Sequence, residues 1–424
     1  MPSVEIMRPS SSAVSEPAAD VVVTGIGVVS PAGADPPAWL GALDQGTPLA
    51  RDTSPEGAPR PIRAAGIESF NLRDYGAFRG TVGISRTAQL AVAATALAQR
   101  EAATASPIPR GDRVGVVLAT AFGNLESMVR FDRGARREGH RFVDPMLFPN
   151  TVVNAAAGHV SILFGYSALN STVSSGSAAG LQAIAYAVDA LRRGDADLIF
   201  AGGAEELSYW TWLGERELRE PAAPGGGAGP APREEQVVFP GEGAAVLALE
   251  RAADARARGA RALAVVAAYG ESFTGSGCSD QEAVAVRTSA LQRALLGSAR
   301  DPQDIDCVWS GARSIAWMKS NEGPVLRAVF GRGSVRVALV APVMGDWRGA
   351  SSVLQAAAAV GFLASRHIPR TELLPGQPET EPGWSGGGGM APRTVMIYSF
   401  DSLGAGAALI LSLPIEDVKE DRRA

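Results

Sequence analysis

The chain has 424 residues, 46% apolar and 20% charged, proportions of an ordinary α/β protein with length for two similar-sized halves. Its 39 Lys plus Arg against 44 Asp plus Glu leave a net charge of −5, which gives no reason to expect nucleic acid or a membrane surface as partner. Cys278 and Cys307 are too few and too isolated for a disulfide framework or a metal site, and no apolar run reaches transmembrane length. The opening MPSVEIMRPSSSAVSEPAAD lacks the apolar core of a secretory signal, so residues 1–19 are read as a disordered leader and the protein as cytoplasmic, with no metal and no cofactor.

In chain order, Val21 to Ser30 is a buried strand ending at Pro31. Its Gly25 and Gly27 make a bare GxG with no third glycine opening a helix, too little for a dinucleotide loop. A mixed loop region runs to about Gly80, and Ser85-Arg86 opens an alanine-rich helix through about Ala103. Arg113 to Thr120 is a second buried strand. The segment after it is amphipathic, with Leu125, Met128, Val129 and Phe131 on one face, and is read as core packing. His140 among arginines is read as a surface residue. Pro149 to His159 starts a small-residue helix, with His159 packed inside it.

Asn170 to Glu206 carries the strongest local signal. It reads as a polar turn, a helix with Leu181, Ile184, Val188 and Leu191 on one face, an acidic turn, and a continuous apolar strand from Leu198. Arg192, Arg193 and Gly194 suit the C-terminal end of that helix. Ser177 stands where the turn becomes the helix, a position at which backbone N–H groups and the helix dipole favour negative charge. It is either a nucleophile or a small helix-capping hydroxyl.

Tyr209-Trp210-Thr211-Trp212 is followed by a Pro/Gly-rich linker, PAAPGGGAGPAPREE, and then by a turn and strand from Phe239 to Glu250, with a helix-forming RAADARARGAR leading out. The later part of the chain repeats this order of elements. Ala262–Tyr269 corresponds to the opening strand, Ile305–Ser310 to the strand at Arg113, and Gly404–Leu413 to the strand at Gly243. VALVAPVMGDWRGASSVLQ again gives a strand, a polar turn and a small-residue helix. Two alternating halves imply an α/β fold with layered sheets. GWSGGGGMAPR and the charged tail at 415–424 are read as surface.

From VVVTGIGVVSP to GAGAALILSLP the sequence resembles the β-ketoacyl synthases of the thiolase fold, most specifically in GDADLIFAGGAEE, GEGAAVLALE and the turn around Ser177. The resemblance implies a five-layered αβαβα core from two related halves, here 20–259 and 260–414, working as a dimer. It also implies a cysteine nucleophile, two histidines that stabilise an enolate, a lysine that orders one of them, and an oxyanion-binding glycine-rich turn.

Each of those positions is altered. Seventeen residues before Gly194 stands Ser177 instead of cysteine. The first histidine position is Gly311, the second is Asp346 after Gly345, and the lysine falls on Ala341. The oxyanion turn reads Asp401-Ser402-Leu403-Gly404-Ala405-Gly406. A serine hydroxyl is un-ionised at neutral pH and needs a positioned base, and Asp346, the one aligned candidate, would repel an enolate.

These losses resemble the chain length factors of type II polyketide synthases, ketosynthase-like subunits that lack the cysteine and pair with a catalytic ketosynthase. Trp210-Thr211-Trp212 and the Phe148-Pro149-Asn150 stretch are similar to that subgroup, which usually carries glutamine at the place of Ser177, a departure that leaves a highly reducing, polyene or fatty-acyl system open beside an aromatic polyketide one. The resemblance implies a heterodimer with an active ketosynthase, an acyl carrier protein bringing the chain, and tunnel-closing positions at Asn124, Ser127 and Phe131. Trp309, Trp317 and Trp347 flank the lost catalytic positions and either fill the vacated pocket or are ordinary core. Two other functions stay open, a Ser177-dependent acyltransferase or hydrolase on carrier-protein thioesters, and a homodimeric scaffold.

Overall fold

The structure is a computed structural model that describes residues 20–55, 58–219, 239–275, 279–311, 322–331, 335–369, 372–373, 391–401 and 404–414. The leader at 1–19, the linker after Glu220, Cys278, Trp317, Ser402, Leu403, most of the GWSGGGGMAPR loop and the tail at 415–424 lie outside the described residues.

The first half runs β1 (Val21–Val29), α1 (Pro36–Gln45), a hairpin of β2 (Arg51–Thr53) and β3 (Ile62–Ala64), α2 (Arg86–Ala102), β4 (Val114–Ala119), α3 (Leu125–Glu138), α4 (Ala155–Phe164), β5 (Asn170–Val173), α5 (Ala179–Arg193), β6 (Leu198–Glu205), α6 (Tyr209–Arg219), β7 (Gly243–Arg251) and α7 (Ala252–Ala257). The second half runs β8 (Ala264–Phe273), α8 (Asp280–Gly297), β9 (Cys307–Ser310), α9 (Gly323–Phe330), β10 (Arg336–Leu339), α10 (Ala341–Met344), α11 (Ser351–Ala364), β11 (Glu372–Leu373), β12 (Thr394–Phe400) and β13 (Ala405–Ser412).

Eleven strands line up as β11-β10-β9-β12-β13-β8-β1-β7-β6-β4-β5. From β1 outward, β7 and then β6 pair antiparallel, and β4 and β5 follow parallel. From β8 outward, β13 and β12 pair antiparallel, and β9 and β10 follow parallel. The two halves therefore repeat one strand order and one set of directions. They join where Val21–Val23 of β1 pairs with Ala264–Val266 of β8.

Three apolar clusters arrange these strands into five layers. α2 and α4 cover the outer face of the first half, α8 and α9 that of the second, and α5 and α11 lie between the two. The glycines of β1 serve this packing. A Cβ at Gly27 would stand 1.8 Å from the Ala94 carbonyl oxygen of α2, and one at Gly25 2.3 Å from that of Ala98. Where α5 crosses α11, a Cβ at Gly180 would meet Ser352 Oγ at 2.5 Å and Val353 at 2.6 Å.

Many expected elements are present, α2 with Ser85 as its cap and α5 ending on the left-handed Gly194 among them. Others are corrected. Asn170–Val173 is a strand at the sheet edge and not a turn, because Ala119 and its neighbours on β4 supply a parallel ladder. The small-residue helix begins at Ala155, after a 3-10 segment at Pro145–Asn150. RAADARARGAR gives only the six-residue α7, which turns the chain into β8. The region before Gly80 is not all loop, since it holds α1 and the β2–β3 hairpin. On α3 the only buried side chain is Ser127. Leu125, Val129 and Phe131 are half-buried and Met128 is exposed, so the apolar face of α3 is not a core face of this chain.

Candidate active site

Ser177 lies in a single 3-10 turn, Gly176–Ala178, between the edge strand β5 and α5. It is nearly buried and caps neither the turn nor the helix, whose cap positions are Ser175 and Ala178. The capping role expected for it is therefore corrected. Its backbone N–H donates instead to Asp401 Oδ2 at 3.0 Å, and its carbonyl accepts from Ser399 Oγ at 2.9 Å. Both partners come from the end of β12. Gly176 makes this possible by adopting φ +68°, and a Cβ there would stand 2.1 Å from Asp401 Oδ2. A carboxylate thus sits on the N–H that, in an acyl-transfer site, would face a developing oxyanion.

The Ser177 turn packs against a second one, residues 348–350 at the entry to α11. Asp346 precedes it, buried, in the place of the second histidine. Its Oδ1 accepts from the Arg348 N–H at 2.9 Å and from Ser351 Oγ at 3.0 Å, and its Oδ2 lies 3.4 Å from Arg348 Nη1. Its main chain bridges to Pro240. This carboxylate is a structural brace whose oxygens are engaged with its own turn, an arrangement unsuited to taking a proton from Ser177.

Arg348 is the centre of the charges. It is mostly buried, has φ +51°, and its guanidinium is held among Glu205, Asp346 and Asp401. Burial lowers its pKa to about 10, while Glu205 and Asp401 work to raise it. Glu205, at the end of β6, is buried and pushed up to about 7 by desolvation. It accepts from Thr120 Oγ1 and from the N–H groups of Ala121 at 2.8 Å, Phe122 at 3.2 Å and Gly349 at 3.1 Å.

The remaining substituted positions are closed by packing. A Cβ at Gly311 would stand 2.7 Å from Ser399 Oγ and 2.9 Å from Ser399 Cα, so no side chain fits there without displacing β12. Ala341 is buried at the start of α10. Trp347 is fully buried, donates from Nε1 to the Met344 carbonyl at 2.9 Å, and fills the space over Gly241 and Gly243. Trp309 does not share that role. Its ring lies tilted against Phe362, centroids 5.7 Å apart, near the far end of α11, about three helical turns from Ser351, and it is ordinary core. The histidines are elsewhere: His140 is exposed after α3, His159 binds Asn150 Oδ1 from α4 at 3.1 Å, and His367 binds Asp44 Oδ1 at 3.0 Å. Cys307 is buried, with its thiol pushed up to about 12 by burial.

The three tunnel positions do not share one cavity. Asn124 is buried and held by Ser85 Oγ and, through Nδ2, by the Val152 carbonyl at 3.3 Å. Ser127 lines a cleft of about 580 Å³ between α2, α3 and the β2–β3 hairpin. Phe131 faces Phe148 at 6.0 Å and a separate groove. Sequence reading missed Arg348 and Glu205 as parts of the site, and it named Asp401 only as the first residue of the altered oxyanion turn without its contact to Ser177. A signal existed for Asp401, an acidic residue where a glycine turn should begin. Among the described residues no group of three or more His, Cys, Asp or Glu could hold a metal ion, and no helix is long and apolar enough to cross a membrane.

Three kinds of similarity bear on this site. The family model for the Beta-ketoacyl synthase, N-terminal domain, matches residues 18–255. A Streptomyces halstedii protein named as a polyketide beta-ketoacyl synthase 2 is 31% identical over 408 residues, 92% of this chain and 96% of its own. In structure, the ishigamide ketosynthase/chain length factor superposes with TM-score 0.79 at 24% identity, covering 94% of this chain and all of that one. A type II PKS acyl-carrier protein in complex with its ketosynthase bound to the hexaketide gives TM-score 0.73 at 21% identity, covering 94% and 100%.

Proposed function

This chain belongs to the β-ketoacyl synthase family and aligns over nearly its whole length with a polyketide relative, and from that premise we propose that it is a non-catalytic chain length factor. It pairs with an active ketosynthase, which performs acyl transfer and condensation on chains delivered by an acyl carrier protein. This chain supplies a wall of the tunnel in which the polyketide grows. The observation that carries the reading is the Asp401 carboxyl group on the Ser177 N–H. Catalysis of acyl transfer requires donors left open for charge that develops in the transition state, and this donor is already taken by a side-chain oxygen.

Pairing is supported by a surface that a lone chain leaves uncovered. Phe142, Met146, Phe148, Val152, Val153 and Ile162 are all exposed within one stretch of chain, beside the edge of β5, which no further strand pairs among the described residues. An apolar belt next to an unpaired strand edge is what a subunit interface buries.

Two experiments test the reading. Incubation of the purified chain with acyl carrier protein thioesters is expected to leave Ser177 unmodified. Acylation that disappears in Ser177→Ala would establish the alternative, a Ser177-dependent acyltransferase or hydrolase. Co-expression with a ketosynthase that keeps its cysteine and both histidines is expected to give a one-to-one complex. A stable homodimer that ignores the ketosynthase would establish the scaffold reading.

A further inference from the structure

From Pro145 to Val188 the chain carries no Asp, Glu, Lys or Arg, although 20% of the whole sequence is charged. The exposed apolar side chains Met146, Phe148, Val152, Val153 and Ile162 all fall within this stretch, and so do α4 and the edge strand β5. His159 is its one group that titrates near neutral pH, the other titratable residues being Tyr166 and Tyr186. A charge that appears on this imidazole has no counter-ion in the same stretch of chain, so covering it is costly.

His159 is half-buried on α4, one turn before the exposed Ile162 and therefore on the same face. Its Nε2 lies 3.1 Å from Asn150 Oδ1, while Asn150 Nδ2 donates to the Gly83 carbonyl at 2.6 Å. The amide thus offers its oxygen, Nε2 carries hydrogen in both states of the ring, and the second proton enters at Nδ1. Burial lowers the pKa of the ring from its ordinary value. Of the elements packed against α4, β4, β5 and the 3-10 segment at Pro145–Asn150 carry no charged side chain. α2 carries three, each engaged elsewhere: Arg86 with Glu242, Arg100 with the Tyr75 carbonyl and Glu101 with the Ile26 N–H. Tyr166, just past α4, donates to Gln99 Oε1 at 2.8 Å, and Asp144 accepts from the Met146 N–H at 2.9 Å. Among the described residues no carboxylate is therefore bonded to the ring to hold it as an imidazolium.

We propose that His159 makes subunit pairing pH-dependent: the neutral ring lets the partner ketosynthase cover this face, and the imidazolium opposes it. The inference rests on the pairing reading above, since a face that stays in water would tolerate the charge. A partner seated over Ile162 strips water from Nδ1, so a proton held by the free chain is released on pairing. Pairing is then strongest above the pKa of His159 in the free chain and weakens as pH falls through it.

The test measures the dissociation constant of the complex with the partner ketosynthase by sedimentation across pH. Between about pH 8 and about pH 5 this one group is expected to raise it roughly tenfold. His159→Gln keeps a donor for Asn150 and cannot titrate. It is expected to remove that rise and to leave affinity at the alkaline end within about twofold. His159→Arg, charged throughout, is expected to pair at the alkaline end no better than the unaltered chain does at the acidic end. A further readout needs no variant: with only this chain labelled at histidine, NMR titration should show one of its three imidazoles moving to a lower pKa on pairing. The same pH slope in the unaltered complex and in His159→Gln overturns the proposal, as does a set of imidazole titrations that pairing leaves unchanged. Failure of the chain to pair at any pH would instead overturn the function on which the proposal rests.

Discussion

The entries to the two central helices occupy matching places in the two halves, one after β5 and one after β10, and both have handed their backbone donors to protein carboxylates. At α5 the Ser177 N–H is met by Asp401, which lies 224 residues away. At α11 the Arg348 N–H is met by Asp346, two residues away and also bound by Ser351 of the same turn. The first closure is a tertiary contact that one substitution can remove. The second is built into its own turn and cannot be undone without rebuilding that turn. The two closures are thus of different kinds, one a reach across the fold and one local.

Arg348 links the two turns, and removing it should have the largest effect. Arg348→Met leaves Glu205, Asp346 and Asp401 without their shared cation, and a loss of about 3–5 kcal/mol is expected in urea unfolding. A loss under about 1 kcal/mol would mean the two turns are not joined through this charge. Next is the contact that holds the helices themselves together. Gly180→Val forces α5 away from Ser352 and Val353 and should cost about 1–3 kcal/mol by the same assay.

The third prediction concerns the removable closure. In Ser177→Cys the thiol faces a site whose N–H holds Asp401, so alkylation by iodoacetamide should be slow. Adding Asp401→Asn should raise the rate roughly tenfold, because loss of the negative charge favours the thiolate. Equal rates in the two variants would remove Asp401 as the support for the proposed non-catalytic role.

Glu205 gives a smaller, pH-dependent effect. Its folded pKa, about 7, lies above the ordinary carboxylate value of 4.5, so between those values the folded state holds more protons than the unfolded one. Its contribution is present at the acidic end and is lost as pH rises through about 7. Glu205→Gln should flatten the fall in stability over that window by about 1.4 kcal/mol per pH unit at most, measured by unfolding across pH. Smallest is the half-exposed pair of His367 with Asp44, far from both turns. Asp44→Asn should change stability by no more than about 0.5 kcal/mol.

Local order was legible in the residues where one element carries its own signal. Leu181, Ile184, Val188 and Leu191 mark α5 by period, and Gly194 marks its end, and the structure buries all four leucine, isoleucine and valine side chains. Partners were not legible. The Asp401 contact spans most of the chain, and no spacing rule predicts it. The periodicity of α3 shows that the helix has an apolar face but says nothing of what covers it. Within this chain that face stays half open. β12 was unassigned for another reason, since it lies between a glycine-rich loop and a rewritten turn whose residues no longer resemble the family's.

Gly311 carries a consequence for redesign. With Ser399 Cα 2.9 Å from where a Cβ would stand, histidine cannot be introduced at that position by substitution alone. β12 must shift first, and β12 holds both Ser399 and the approach to Asp401. A histidine placed at Gly311 would therefore disturb the Ser177 contacts as well, and the two positions cannot be altered independently of each other.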